Sequence, residues 1–190
     1  MSDPLPPPAA PLSRRSLLTT GFRVLGVLAT AAGAAAVSGG ERTVWQIDPD
    51  KCVQCGRCAT ACVLSPSAAK CVHAYAVCGY CDLCTGFFKA DAAELSTAAE
   101  NQMCPTNAII RRFIEDPYYE FTIDENLCIG CARCVQGCSA YGNGSLFMQI
   151  RQDCCTNCNQ CAIARACPAE AIKRVPADKP YLIKTRAGKA

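Results

Sequence analysis

Histidine is nearly absent, with His73 the single one among 190 residues. That count excludes a Rieske centre, which places two histidines on one iron, and it weakens a zinc reading built on mixed Cys and His ligands. Room is also short, since 190 residues allow one compact domain or two very small ones and no catalytic barrel. An apolar run of spanning length is missing: Val24 to Val37 offers 14 apolar or small residues, against the roughly 20 of a bilayer helix. Charge of one sign is lacking too. The formal net charge is +3, and beyond Gly40 the 16 basic and 15 acidic residues nearly cancel.

Cysteine is what the chain has in excess, at 18 residues, so thiol chemistry must be structural. A disulfide framework needs no short regular repeat, and zinc ribbons show paired C-x2-C knuckles. Here C-x2-C-x2-C triplets recur, beginning at Cys52, Cys78, Cys128 and Cys155. A thiolate every third residue on a tight loop aims three sulfurs at three irons of a cube, so the spacing points to iron-sulfur clusters. Each oxidised [4Fe-4S] site with four thiolates carries roughly −2, and four of them would make the loaded body acidic. Nucleic acid is therefore not an expected partner.

Residues 1–40 stand apart. A proline-rich start leads into Ser13-Arg14-Arg15-Ser16-Leu17-Leu18 and then an Ala, Gly, Val and Leu stretch. This resembles a twin-arginine signal peptide, which implies export of an already folded, cofactor-loaded protein to the periplasm or the periplasmic face of the inner membrane. An uncleaved N-terminus would leave the protein associated with the membrane.

The remainder repeats at an offset of 76 residues. Ile47, Asp48, Cys52, Cys55, Cys58 and Cys62 recur as Ile123, Asp124, Cys128, Cys131, Cys134 and Cys138. The triplet Cys78, Cys81, Cys84 corresponds to Cys155, Cys158, Cys161, and Cys104-Pro105 to Cys167-Pro168. The expected fold is α+β, with tandem bacterial-type ferredoxin-like units at 41–116 and 117–178, short antiparallel strands, loop-rich cluster-binding segments and a basic tail at 179–190. Each half would pair its opening strand with the strand after its Cys-Pro. A stripe of Phe88, Ala92, Leu95, Ala99 and Met103, with Asp91 as a cap, predicts a helical insertion over 87–103.

In the bacterial ferredoxin run C-x2-C-x2-C-x3-C, three cysteines hold one cubane and the fourth reaches another. Applied within each half, that rule gives four [4Fe-4S] clusters. Cys52, Cys55, Cys58 and Cys104 would hold the first, and Cys78, Cys81, Cys84 and Cys62 the second. Cys128, Cys131, Cys134 and Cys167 would hold the third, and Cys155, Cys158, Cys161 and Cys138 the fourth. Val63 follows Cys62 and Ser139 follows Cys138 where proline is usual, which leaves open a cross-pairing of the halves.

Cys71 and Cys154 are left over as alternate ligands. The run Cys154-x3-Cys158-x2-Cys161 also matches the triad of radical S-adenosylmethionine enzymes, but no room exists for their barrel. For Cys71 the first expectation is a buried free thiol, and for His73 a packed or surface residue.

Taken with Arg14-Arg15, the span Cys52 to Cys167 is similar to exported four-cluster ferredoxin-type proteins and to the iron-sulfur subunits of periplasmic nitrate and nitrite, dimethyl sulfoxide and polysulfide reductase systems. The resemblance implies a non-catalytic electron carrier between a membrane quinol or flavin subunit and a cytochrome or molybdenum reductase subunit. The alternative is an iron-sulfur subunit bound to its own catalytic chain. In those molybdoenzyme subunits the first motif pairs with the last, so a nested arrangement competes with the tandem one.

Overall fold

The computed structural model describes residues 42–74, 81 and 83–184. The signal-like N-terminus, Cys78 and the end of the basic tail lie outside them. Arg42 onward forms one unit.

Among the described residues, six short strands form three antiparallel pairs. Strand β1 (Thr43–Ile47) pairs with β6 (Ile172–Pro176), β2 (Ala69–His73) with β5 (Leu146–Ile150), and β3 (Ile109–Glu115) with β4 (Tyr118–Ile123). Three short helices follow cysteine loops: α1 (Cys58–Ala61), α2 (Arg133–Tyr141) and α3 (Ala162–Ala166).

The expected strands form, but their pairing is not tandem. The strand after Cys104, β3, pairs with β4, which opens the second repeat, while β1 reaches across the chain to β6. One pair is nested inside the other, so the division at residues 116 and 117 falls in the tight turn of a hairpin. The turn at Asp116 and Pro117 leaves β4 beside β3 at no loop-closure cost beyond a hairpin. Once β4 is taken, only β6 remains to cover β1.

Both pairs end in the same lock. Asp48 N–H donates to the Ala171 carbonyl at 2.7 Å, and Asp124 N–H to the Ala108 carbonyl at 2.7 Å. The carbonyls of Asp48 and Asp124 then accept from the N–H of Cys52 and Cys128, each at 3.1 Å. Each opening strand thereby delivers its first cysteine next to a closing strand and the Cys-Pro before it.

β2 and β5 complete the core, with every residue of β5 buried. Gln46 ties β1 to β5. Fully buried, it accepts from Ile47 N–H (2.9 Å) and Ile150 N–H (2.7 Å) and donates to the carbonyls of Ile150 (3.0 Å) and Pro180 (2.8 Å). The first residues of the tail thus pack on the body, where Lys184 donates to the Gly144 carbonyl at 2.8 Å.

The helix expected over 87–103 is absent. Only Ala99–Asn101 turns, as a 3-10 helix, and the segment closes as a loop in which Met103 N–H meets the Phe87 carbonyl at 2.6 Å. Two features defeat the helix. Adjacent Phe87 and Phe88 are both buried, at 1% and 2% exposure, while Leu95 of the supposed apolar face is 56% exposed. Asn101 and Gln102 spend their amides on Ser96 Oγ and the Thr97 carbonyl, local bonds that compete with helix formation. Arg111 pins this loop to the hairpin, stacking on Tyr119 at 3.5 Å and donating to the Leu95 carbonyl at 3.0 Å.

Candidate metal centres

The cysteine loops share a backbone pattern that is invisible as spacing alone. Two residues after the first cysteine the chain turns left-handed, at Gln54 (φ 58°), Gly130 (φ 76°) and Asn157 (φ 48°). The turn swings N–H groups toward sulfur: Asn157 N–H lies 3.4 Å from Cys155 Sγ, and the backbones of Gln54 and Gly130 donate to Cys52 and Cys128. The fourth-ligand segments do likewise. Asn107 (φ 54°) and Glu170 (φ 48°) precede Ala108 and Ala171, whose N–H groups meet Cys104 Sγ at 3.2 Å and Cys167 Sγ at 3.4 Å. Left-handed geometry at non-glycine residues costs roughly 1–3 kcal/mol each, and its repetition beside cysteines marks a functional site.

Nesting of the strands reassigns every fourth cysteine. Cys52, Cys55 and Cys58 share a small cavity with Cys167, not Cys104. Cys104 joins Cys128, Cys131 and Cys134. Cys62 joins Cys155, Cys158 and Cys161, and Cys138 joins Cys81 and Cys84. These four groups are called sets I, III, IV and II after the order of their triplets. Cys154 is exposed and does not line the cavity of set IV.

Electrostatics groups the cysteines in the same way. Burial, with Cys52, Cys55 and Cys167 close by, pushes the Cys58 thiol up to about 12. Burial raises Cys155 as well, and Cys161, Cys158 and Cys62 add to it. Crowded buried thiols resist ionisation until a cation replaces their protons, the usual coupling of metal binding to proton release.

The donor sets fit [4Fe-4S] clusters. Cysteines surround apolar cavities, N–H groups point at their sulfurs, and no described cysteine is in a disulfide. Among the described residues no three Cys, His, Asp or Glu groups converge as on a single ion. The cysteines instead line small cavities.

Two polar residues beside these sets escaped sequence reasoning in part. His73 ends β2 and lines the cavity of set II, where burial lowers its pKa from 6.5. Cys71, 2% exposed, lines the cavity of set III, with its Sγ 3.4 Å from Cys134 Sγ. The hydrogen bond it shares with Cys134, together with burial, raises the Cys71 pKa well above the ordinary 9.0. Only the β2–β5 pairing places it there, and spacing carried no signal for that.

Residues 45–62, which include the end of β1, the first triplet and Cys62, match the 4Fe-4S binding domain family. No curated protein and no solved structure matches the chain. The match falls on the loop in which the Gln54 backbone donates to Cys52, and it supports a ferredoxin-type iron-sulfur protein that binds 4Fe-4S in an electron-transfer role.

Proposed function

We propose that the chain carries four [4Fe-4S] clusters in a row and passes electrons through them. It would act as an exported, non-catalytic carrier between a membrane quinol- or flavin-linked donor and a periplasmic cytochrome or molybdenum reductase subunit. The observation that carries this reading is that neighbouring cavities share walls. Ile163 lines both set IV and set I, Ala132 both set I and set III, and Ile109 and Ile123 both set III and set II. One or two shared side chains stand at each junction, in the order IV, I, III, II.

When bound, each cluster supplies reversible one-electron transfer without rearranging its ligands. The chain's own residues hold the sulfurs, exclude water with Ile47, Ile163 and Ile172 around set I, and donate N–H bonds that set the potential. Anaerobically prepared protein should contain about sixteen iron and sixteen sulfide per chain. Well-ordered zinc, or about half that iron, would sink the four-cluster reading. Export is tested separately: Arg14→Lys with Arg15→Lys should leave brown, loaded protein in the cytoplasm, and unchanged periplasmic levels would refute it.

A further inference from the structure

Strand β2 brings two polar groups to set III that its ligation does not use. Lys70 is 3% exposed and is the one buried charged residue among the described residues. Its ammonium donates to the carbonyl oxygen of Cys128 at 2.6 Å, and the ion pairs Arg112–Glu120, Arg151–Glu125, Arg151–Asp153 and Lys173–Asp48 do not involve it. A buried, uncompensated ammonium is strongly destabilising, so this position calls for negative charge nearby. The thiolates of set III supply it, since Cys128 feels the Lys70 charge.

Cys71 adds two donors on the adjacent residue. Its backbone N–H points at Cys128 Sγ at 3.4 Å, and its Sγ lies 3.4 Å from Cys134 Sγ, which as a ligand thiolate would accept from the Cys71 thiol. Two groups of Cys71 therefore meet two sulfur ligands of a single set, and the Lys70 ammonium is held on the backbone carbonyl of one of those ligands.

Resting on the four-cluster reading above, we infer that Lys70 and Cys71 are positioning residues that raise the reduction potential of the set III cluster above the other three, making it the place where an electron rests. Reduction takes the site from roughly −2 to −3, and both a fixed positive charge and hydrogen bonds to sulfur favour the more negative state. An inner site of high potential lets the row hold one electron until a partner docks at an end.

The test uses the full chain, prepared anaerobically, as wild type, Lys70→Met, Lys70→Arg and Cys71→Ala. Iron and sulfide are counted first, and a wild type short of four clusters refutes the four-cluster reading rather than this inference. Redox titration followed by electron paramagnetic resonance then gives the midpoints, with set III identified by a parallel Cys131→Ser variant. In the wild type set III should titrate at the highest potential.

Lys70→Met should disfavour reduction of set III about tenfold, or 59 mV for one electron. Lys70→Arg should largely restore it, Cys71→Ala should move it the same way by less, and the other midpoints should stay. Loading of set III in Lys70→Arg but not in Lys70→Met would also support charge compensation. Fully loaded Lys70→Met and Cys71→Ala proteins with an unmoved set III, or equal shifts of all four midpoints, would overturn the inference. So would loss of four irons in Cys71→Ala, which would make Cys71 a ligand. If neither Lys70 variant loads, an unshifted Cys71→Ala overturns it alone.

Discussion

Gln46 shows how much one side chain can hold in a protein this small. Its amide satisfies four backbone groups on β1, β5 and the tail, and replacing it with a similar-sized apolar group removes the side-chain partner of the Ile47 and Ile150 N–H groups and the Pro180 carbonyl, while the Ile150 carbonyl keeps Gln152. Gln46→Met should therefore cost about 2–4 kcal/mol, seen as bleaching of the bound clusters at lower denaturant concentration than in wild type. Bleaching at the wild-type midpoint would show that water reaches these groups. Asp48 is a milder case with a pH signature. Its hydrogen bond to Lys173 at 2.9 Å holds its pKa below the ordinary 3.8. That contribution is present above 3.8 and is lost as pH falls through the lower folded value. The lysine end is half exposed, so Asp48→Asn should cost only about 0.5–1 kcal/mol near neutrality and flatten the acid limb of the stability curve. Asp124→Asn is the control, because Ile110 stands in the repeat where Lys173 does; an equal effect at both sites would assign the loss to the turn rather than the ion pair.

At the scale of elements, the 76-residue repeat reveals the cysteine triplets and the strands around them, but not which strand meets which. The two halves carry the same locking residues, Asp48 and Asp124 with Ala171 and Ala108, so local sequence fits tandem and nested pairing equally well. The hairpin turn at Asp116 and Pro117 breaks the tie, and its consequence for β1 is 125 residues away in β6, where no periodicity reaches. Strands β2 and β5 were illegible for another reason: Ala69–His73 includes a buried lysine and a buried cysteine, and neither is a strand signal. The loop over 87–103 misled through its apolar spacing, which side-chain bonds to backbone override. Nesting makes a direct prediction. Cys104→Ser should alter the same paramagnetic signal as Cys131→Ser, and Cys167→Ser the same signal as Cys55→Ser, because a serine ligand or lost iron marks one cluster only. If Cys104→Ser instead tracks Cys55→Ser, the strand pairing described above is wrong for the loaded protein.

At the scale of the molecule, in the proposed order IV, I, III, II set I is the one bridge among the described residues from set IV to the rest. The junction between sets I and III is tight. Gly56, left-handed at φ 75°, sits where a Cβ would come within 2.6 Å of the Cys131 carbonyl oxygen, and Gln136 donates to the Gln54 carbonyl at 2.8 Å. Two cluster loops thus touch through backbone, and a side chain added at Gly56 would clash with the Cys131 carbonyl. In the fully reduced protein each cluster should therefore show dipolar broadening from its neighbour in the row. Cys55→Ser combined with Cys58→Ser removes two sulfurs of set I, and iron should fall by about four per chain. The signal of set IV should then narrow to that of an isolated centre, while sets III and II stay mutually broadened, since Ile109 and Ile123 still separate them alone. Electrons delivered to one end should no longer reach the other on the wild-type timescale. Should set IV remain broadened after set I is lost, it has a second neighbour, and the row must give way to a more compact cluster arrangement with a different route for the electron.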